Sequence, residues 1–535
     1  MTDDLRYALR LFVTSPGYVS IALLTLAIGI GGSVAIFSAC YSVLLAPLPY
    51  RDADTIVVPV STNVERGFDR ASIPYADYAD WREQRDVFAH VAVWRPLPLD
   101  VAGTDAPERV EAGQVSAEFF DVLGVRPIVG RTFEPADHEP GPTRGVVISY
   151  GLWQRAFGGA PDVLARKLRI GGTPVPIIGV LGAGAMWPDE QALWLPLKPS
   201  QFTEDQRSRR DNMIFESIAR LKRGVSLQAG RARVSAIAER VAREHPEARK
   251  GWSTNLIPLR GYVVEPSLHD ALIVLLVAVG AVLLIVCVNV ANLLLARGTS
   301  RSRELAIRTA LGASRGRLVR QLFTETVVLA IGGGAAGVAL AFAFIRVLVR
   351  LAPDGVPFVR QMAINLPVLA AAGTLTLTSL LLFGMLPAVT GSRQKPADAL
   401  KDNAAGSGIG RRTLRLRDSL VVVEMALAVV LMVSAGLLVR SFNGIVSRSP
   451  GVDVDHVIAA RLSLPGRRYP QSADCVRFYQ TLTHALATFP GVRAAAATSF
   501  LPAGGGGFGL GRVFLIEGEP EPPSGPDHPA SWNVI

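Results

Sequence analysis

Residues 271–296 read ALIVLLVAVGAVLLIVCVNVANLLLA, and residues 327–345 read VVLAIGGGAAGVALAFAFI. Neither run carries a charged side chain. At about 1.5 Å of rise per helical residue, each is long enough to cross a hydrocarbon core of roughly 30 Å. Between them residues 297–322 read RGTSRSRELAIRTALGASRGRLVRQL, an amphipathic cationic stretch too polar to enter lipid. Two spans joined by a structured basic hairpin make this an α-helical transmembrane protein.

Working outward, three more apolar runs qualify as spans: Tyr18–Leu45, Leu366–Val389 and Ser419–Leu438. The first is too long for the apolar stretch of a cleavable signal, so it is expected to be retained. Before it, Leu5, Ala8, Leu9 and Phe12 share one helical face, which predicts an amphipathic helix in the cytoplasmic interface. The domain boundaries expected from these patterns are that helix at 1–17, a first span at 18–46 and an outside domain at 47–267. A three-span membrane domain at 268–392 follows, containing the hairpin at 297–322. A basic cytoplasmic linker at 393–418, a fifth span at 419–440 and a second, incomplete outside domain at 441–535 complete the chain.

The net charge of +10 would suggest nucleic acid in a soluble protein. Here the arginines cluster beside the apolar runs, as positively charged cytoplasmic loops do. No nucleic acid is expected as a partner; the lipid bilayer is. The hairpin and the linker then lie on the cytoplasmic side with the N-terminus, and the large domain lies opposite. Arg346, Arg350 and Arg360 oppose this bias, but more weakly. Three cysteines, two of them inside spans, give no disulfide framework.

Residues 51–267 carry alternating strand and helix patterns, with Gly-, Pro- and Asp-rich loops. Strands are expected at Thr55–Pro59, Val87–Trp94, Val146–Tyr150, Val175–Val180 and Ile214–Leu221. Helices are expected at Tyr75–Glu83, Ala117–Leu123 and Leu227–Glu244. The class is α+β, with enough residues for its own core and for two subdomains. A faint repeat follows the fifth span: a strand in HVIAARLSLP, a helix at Asp474–Ala487 and a strand in VRAAAATSF.

The hairpin has caps of its own. Ser300 is placed to cap a helix starting near Arg301, with Glu304 in its first turn and Gly312 as its stop. Ser314 would cap a second helix running into the next span. Such a hairpin could receive a push from a cytoplasmic partner, or simply lie on anionic lipid. Gly333 and Gly337, four residues apart, offer a surface for close helix packing, within one protomer first and between protomers second. Asn289 and Asn292 fit a packing role better than a substrate site. No phosphate-binding G-x-x-x-x-G-K-[ST] motif occurs, and the glycine-rich Gly504–Gly511 lacks the lysine. His90, His138 and the scattered tryptophans form no catalytic or metal spacing, so no catalytic, cofactor or metal residue is assigned and an enzyme is not expected.

The run RSRELAIRTALGASRGRLVRQLFTE resembles the coupling region of the FtsX/MacB-type ABC-transporter permeases. The order of one span, a large outside domain and three spans matches that class: a MacB-like periplasmic core domain followed by an FtsX-like permease domain. The opening LRYALRLFVTSPGYVSIALLTLAIGIGGSVAIFSACYSVLLAPLPY and the later EMALAVVLMVSAGLLVRSF resemble the duplicated, acidobacterial-type orphan permeases, here cut within the second half. The resemblance places an ATPase-coupling helix on Arg303, Glu304, Ile307, Arg308, Leu311, Gly312 and Ala313. It implies an ABC ATP-binding subunit in trans and mechanotransmission to the extracytoplasmic domain for export or efflux. It also implies a homodimer or a second permease half, and admits a periplasmic adaptor, all in the bacterial inner membrane. The alternatives are a non-transporting signal relay that activates an extracytoplasmic partner such as a cell-wall hydrolase, and an inactive truncated permease.

Overall fold

The structure is a computed structural model that describes residues 16–102, 107–183, 191–264, 266–300, 315–351, 362–378, 411–446, 456–460, 462, 464, 469, 471–498, 510–514 and 528–532. The chain divides into two units, Met1–Pro47 with Val263–Ser447 and Leu48–Tyr262 with Arg448–Ile535. The sequence-predicted helix at 1–17 lies almost wholly outside the described residues.

The chain's first span is helix α1 (Pro16–Cys40), extended by a π-helical turn at Tyr41–Leu45. Proline at its first position costs nothing, because that N–H would have no helical partner. Pro47 ends it by holding Ala46 in extended backbone, at φ −58° and ψ 135°.

Leu48–Tyr262 builds one eleven-stranded sheet. Its strands are β1 (Ile56–Asn63), β2 (Phe68–Ala71), β3 (Phe88–Ala102), β4 (Pro107–Val115), β5 (Pro127–Gly130) and β6 (Val146–Ile148). They continue with β7 (Lys167–Ile170), β8 (Thr173–Leu181), β9 (Leu193–Pro196), β10 (Glu216–Leu221) and β11 (Ser253–Pro258). The order is β11-β1-β10-β3-β4-β9-β6-β8-β5, with β2 on β1 and β7 joining β3 to β8. Among the described residues, β4–β9 and β6–β8 are the pairs that run parallel.

Strand β3 carries the sheet from one hydrophobic core to the other. Its first part pairs with β10 as far as Trp94↔Glu216, and its second part pairs with β4 from Trp94↔Val115 onward. Pro96 and Pro98 come after β10 has ended, where β3 can spare the N–H groups that proline lacks. The first core packs α2 (Tyr75–Arg82) and the long helix Leu227–Glu244 on the sheet, through Tyr78, Trp81, Val234, Ile237 and Val241. The spacing of the last three is helical, and it points them at Val57, Val91 and Leu256. The second core buries Leu152 and Phe157 of the helix Tyr150–Phe157 against Val146, Ile148, Leu168, Val175, Ile177 and Leu193. The two subdomains read from the sequence are thus two cores on one continuous sheet.

Asp77, 4 % exposed, fixes the loop side of the first core. Its carboxylate accepts from Arg210 at 2.8 Å and from Arg249 at 2.5 Å, while Asp80 takes a second 2.8 Å bond from Arg210. Trp81, Trp94 and Trp194 are core residues, not a binding stripe.

Two expectations are corrected. Residues 456–460, 462, 464 and 492–498 form no strand; the helix between them is present, as Ser472–Ala487. In the first domain β1 is held by β10 and β11, whose residues follow it by well over a hundred positions. Around His456 no described strand pairs with the chain, and Val457 and Ile458 stand 65 % and 95 % exposed. The basic linker is shorter than 393–418, because helix begins at Arg411 and runs to Val446. Its first residues, RRTLRLRDSL, hold no glycine or proline and continue the helix of the span at little cost.

Candidate functional site

In the membrane unit, α1 packs with Pro266–Ser300, Arg315–Leu351 and Leu366–Thr378. Leu26, Ile30, Val34, Val286, Val290, Ala341, Ile345, Val368 and Ala372 form its shared core. The helices approach through small residues. A Cβ added at Gly333 would stand 2.7 Å from the Cβ of Leu26, and one at Gly337 would stand 3.0 Å from that of Ile30. From the other side, a Cβ at Gly31 would meet the carbonyl oxygen of Gly337 at 2.9 Å. Backbone therefore touches backbone here, and dispersion takes the place of the hydrophobic drive that lipid does not provide. Ser38 adds a hydrogen bond to the carbonyl of Ala363 at 3.3 Å, and the thiol of Cys40 one to that of Leu272 at 3.6 Å.

The helix Arg411–Val446 lies beside Pro266–Ser300 but leaves Val422, Val430, Met432 and Leu438 exposed. Such a surface suits lipid.

In the core unit, both connections to spans leave one end of the sheet. Val57, at the start of β1, pairs with Pro258, at the end of β11. The first connection is held by Arg220 of β10, which donates to the carbonyls of Val122 at 2.9 Å and Asp52 at 3.2 Å, and to Thr55 Oγ1 at 2.9 Å. Asp52 itself takes the left-handed conformation, φ 46°. The second connection is the short helix Leu259–Val263. Arg70 of β2 donates to the carbonyls of Gly261 at 3.0 Å and Tyr262 at 3.1 Å. The Tyr262 hydroxyl donates to Glu216 of β10 at 3.0 Å, and Ser72 donates to the other Glu216 oxygen at 2.8 Å. Burial, and the Glu216 carboxylate after it, push the Tyr262 hydroxyl far above the ordinary tyrosine range.

Two family models match the chain. The model of the MacB-like periplasmic core domain matches residues 19–237, and that of the FtsX-like permease C-terminal domain matches residues 276–396. The chain belongs to the FtsX/MacB-type permeases. The macrolide export ATP-binding/permease protein MacB of Chromobacterium violaceum is 28% identical over 291 residues, which cover 54% of this chain and 42% of that protein. MacB of Salmonella typhi is 26% identical over 391 residues, 71% of this chain and 57% of that protein. A probable syringafactin export ATP-binding/permease protein of Pseudomonas syringae is 27% identical, covering 54% of this chain and 41% of its own length. The permease thus spans about half the length of the curated relatives it matches. Among solved structures, a domain of a permease protein from Porphyromonas gingivalis aligns with a TM-score of 0.31 at 17% identity, covering 39% of this chain and 93% of that one. The periplasmic region of MacB from Actinobacillus actinomycetemcomitans aligns with a TM-score of 0.29 at 13% identity, covering 38% and 89%.

The coupling residues Arg303, Glu304, Ile307, Arg308, Leu311, Gly312 and Ala313 lie outside the described residues of the permease. Ser300 is the last residue of the helix Pro266–Ser300, and the helix it was expected to cap lies outside the described residues. The helix entering the next span begins at Arg315. His90 pairs with Glu118 at 3.4 Å, and His138 contacts the carbonyl of Leu197 at 2.9 Å. Among the described residues, no group of three or more His, Cys, Asp or Glu could hold a metal ion. Arg70, Glu216, Arg220 and Tyr262 had no role in the sequence reading. Isolated polar residues on β2, on β10 and on a short helix, brought together only by the fold, leave no local motif by which to find them.

Proposed function

We propose that the chain is the permease subunit of an ABC transporter of the mechanotransmission type, in which a separate subunit hydrolyses ATP and the periplasmic core domain moves in response. The observation that carries this reading is the order of the two matched domains, core domain at 19–237 and permease domain at 276–396. The exit of both connections at the paired residues Val57 and Pro258 supports it, because displacement of the first two spans would reach one end of one sheet. The first span contains no ionisable carboxylate or basic side chain from Tyr18 to Leu45, which favours force transmission over an ion path through it.

On this reading the N-terminus, the hairpin and the linker are cytoplasmic, and Glu304, Arg308 and Leu311 meet the ATP-binding subunit. A second copy, or a second permease half of the duplicated type, completes the membrane assembly. Export is the activity in the names of the relatives and the activity proposed here, with the cargo open. The test is a crosslinked affinity pull-down of the full chain from native membranes, against a Glu304→Arg control. Recovery of an ATP-binding subunit that the control loses is the expected result. Equal recovery by both would overturn the coupling assignment, and no such subunit with either would overturn the permease reading.

A further inference from the structure

The helix Leu259–Val263 has five residues. A helix so short cannot hold its own shape in water, because nucleation costs more than its few hydrogen bonds return. Ladder pairing cannot hold it either, since β11 ends at Pro258. Yet this segment is the covalent link to the second span, whose helix starts at Pro266, four positions after Tyr262.

Side chains do the holding. Arg70 caps the helix where its last carbonyls lack partners and its dipole is negative, binding the oxygens of Gly261 and Tyr262. Its guanidinium also lies 5.8 Å from the centre of the Tyr262 ring. Tyr262 is tied in turn to Glu216, and Glu216 to Ser72. Glu216 is a residue of β10 paired with Trp94 of β3, so the tie ends in the middle of the sheet and not at its margin. Tyr262 lies outside both segments matched by the family models.

We infer that Arg70, Glu216 and Tyr262 form a latch that passes displacement of the second span into β10 and so into the whole core sheet. This rests on the permease reading. Through the latch the short helix and β10 move as one body; without it, the link at Leu259–Val263 bends and absorbs the displacement. The three are positioning residues, since none is asked to touch cargo or nucleotide.

The test uses the full chain with its co-purified ATP-binding subunit in nanodiscs, the native cysteines replaced. Spin labels are placed at the exposed positions Val277 in the second span and Lys167 in the core sheet. Magnesium AMP-PNP is expected to shift the inter-label distance in the parent protein. Tyr262→Phe and Arg70→Gln should each cut that shift by half or more. Glu216→Gln, which still accepts from the tyrosine, should keep it. A parent shift that both variants reproduce in full would overturn the latch and leave the permease reading standing; no shift in the parent would overturn both. Backbone hydrogen exchange on the full chain without nucleotide gives a second measure. Tyr262→Phe should speed exchange at Leu259–Val263 at least fivefold while β4 and β8 stay protected, and unchanged exchange there would overturn the latch by itself.

Discussion

Glu216 and Arg220 stand four residues apart on β10 and hold different ends of the core domain's chain. Glu216 accepts from Tyr262 at 3.0 Å, just before the second span, and Arg220 donates to the carbonyl of Asp52 at 3.2 Å, just after the first. Residues four apart on a strand point to one face, so a single strand gathers both connections by regular geometry alone. Removing Arg220 leaves the carbonyls of Asp52 and Val122 without their charged donor. Arg220→Ala is expected to lose about 1.5–3 kcal/mol of stability. Exchange at residues 48–55 should rise more than elsewhere in the sheet, as followed by mass spectrometry on the full chain.

The glycines of the membrane unit make a different kind of prediction, about room. Gly337→Ala puts a carbon 3.0 Å from two atoms of Ile30 and 3.3 Å from the amide nitrogen of Gly31. Neither backbone nor a β-branched carbon can step aside, so the helices must part, at a cost of about 1–3 kcal/mol. Gly280→Ala, in the second span, meets nothing within 4 Å and is the matched control. Thermal unfolding in detergent should show a lower midpoint for the first variant and an unchanged or higher one for the second.

How much of this could be read from residues alone follows from how each element is held. Four of the expected spans coincide with long apolar helices and were legible because lipid selects composition; the expected span Leu366–Val389 lies among the described residues only as far as Thr378. Strands such as Val175–Val180 and Ile214–Leu221, rich in buried apolar side chains, were also visible. Strand β4, PERVEAGQV, was not, because Glu108, Arg109 and Glu111 crowd its first half and its identity comes from lying between β3 and β9. Strand β11, STNLIP, is short and polar for the same reason. The repeat after the fifth span carried a local strand pattern in HVIAARLSLP, but a ladder needs a partner, and pattern cannot supply one. The connections were the least legible, since Arg70 and Tyr262 are 192 positions apart and meet only through the fold.

Asp77 tests the interior. It faces two arginines, and Arg249 is itself 2 % exposed. Asp77→Ala strands buried positive charge without a counterion, and breaking a buried pair in this way costs about 3–5 kcal/mol. The urea midpoint, read by tryptophan fluorescence on the full chain, should fall accordingly. Asp80→Ala should cost much less, because Arg210 keeps its bond to Asp77.

Glu118 gives the pH dependence. Burial alone would raise its carboxyl, but hydrogen bonds from Arg85 and Arg82 outweigh that and hold it below the usual glutamate value. Arg82 and Arg85 each approach to 3.1 Å, and the amide of Val91 donates at 3.3 Å. A carboxyl lowered by folding adds stability above its unfolded value of about 4.3. That contribution disappears as pH falls through the lower folded value, when the group must take a proton and give up its arginines. The parent chain should therefore lose stability on acidification below about pH 4.3, and Glu118→Gln, which has no proton to take, should show a flatter acid limb. Thermal midpoints measured from pH 7 down to pH 3 decide it: parallel curves for the two proteins would show that Glu118 carries none of the acid sensitivity.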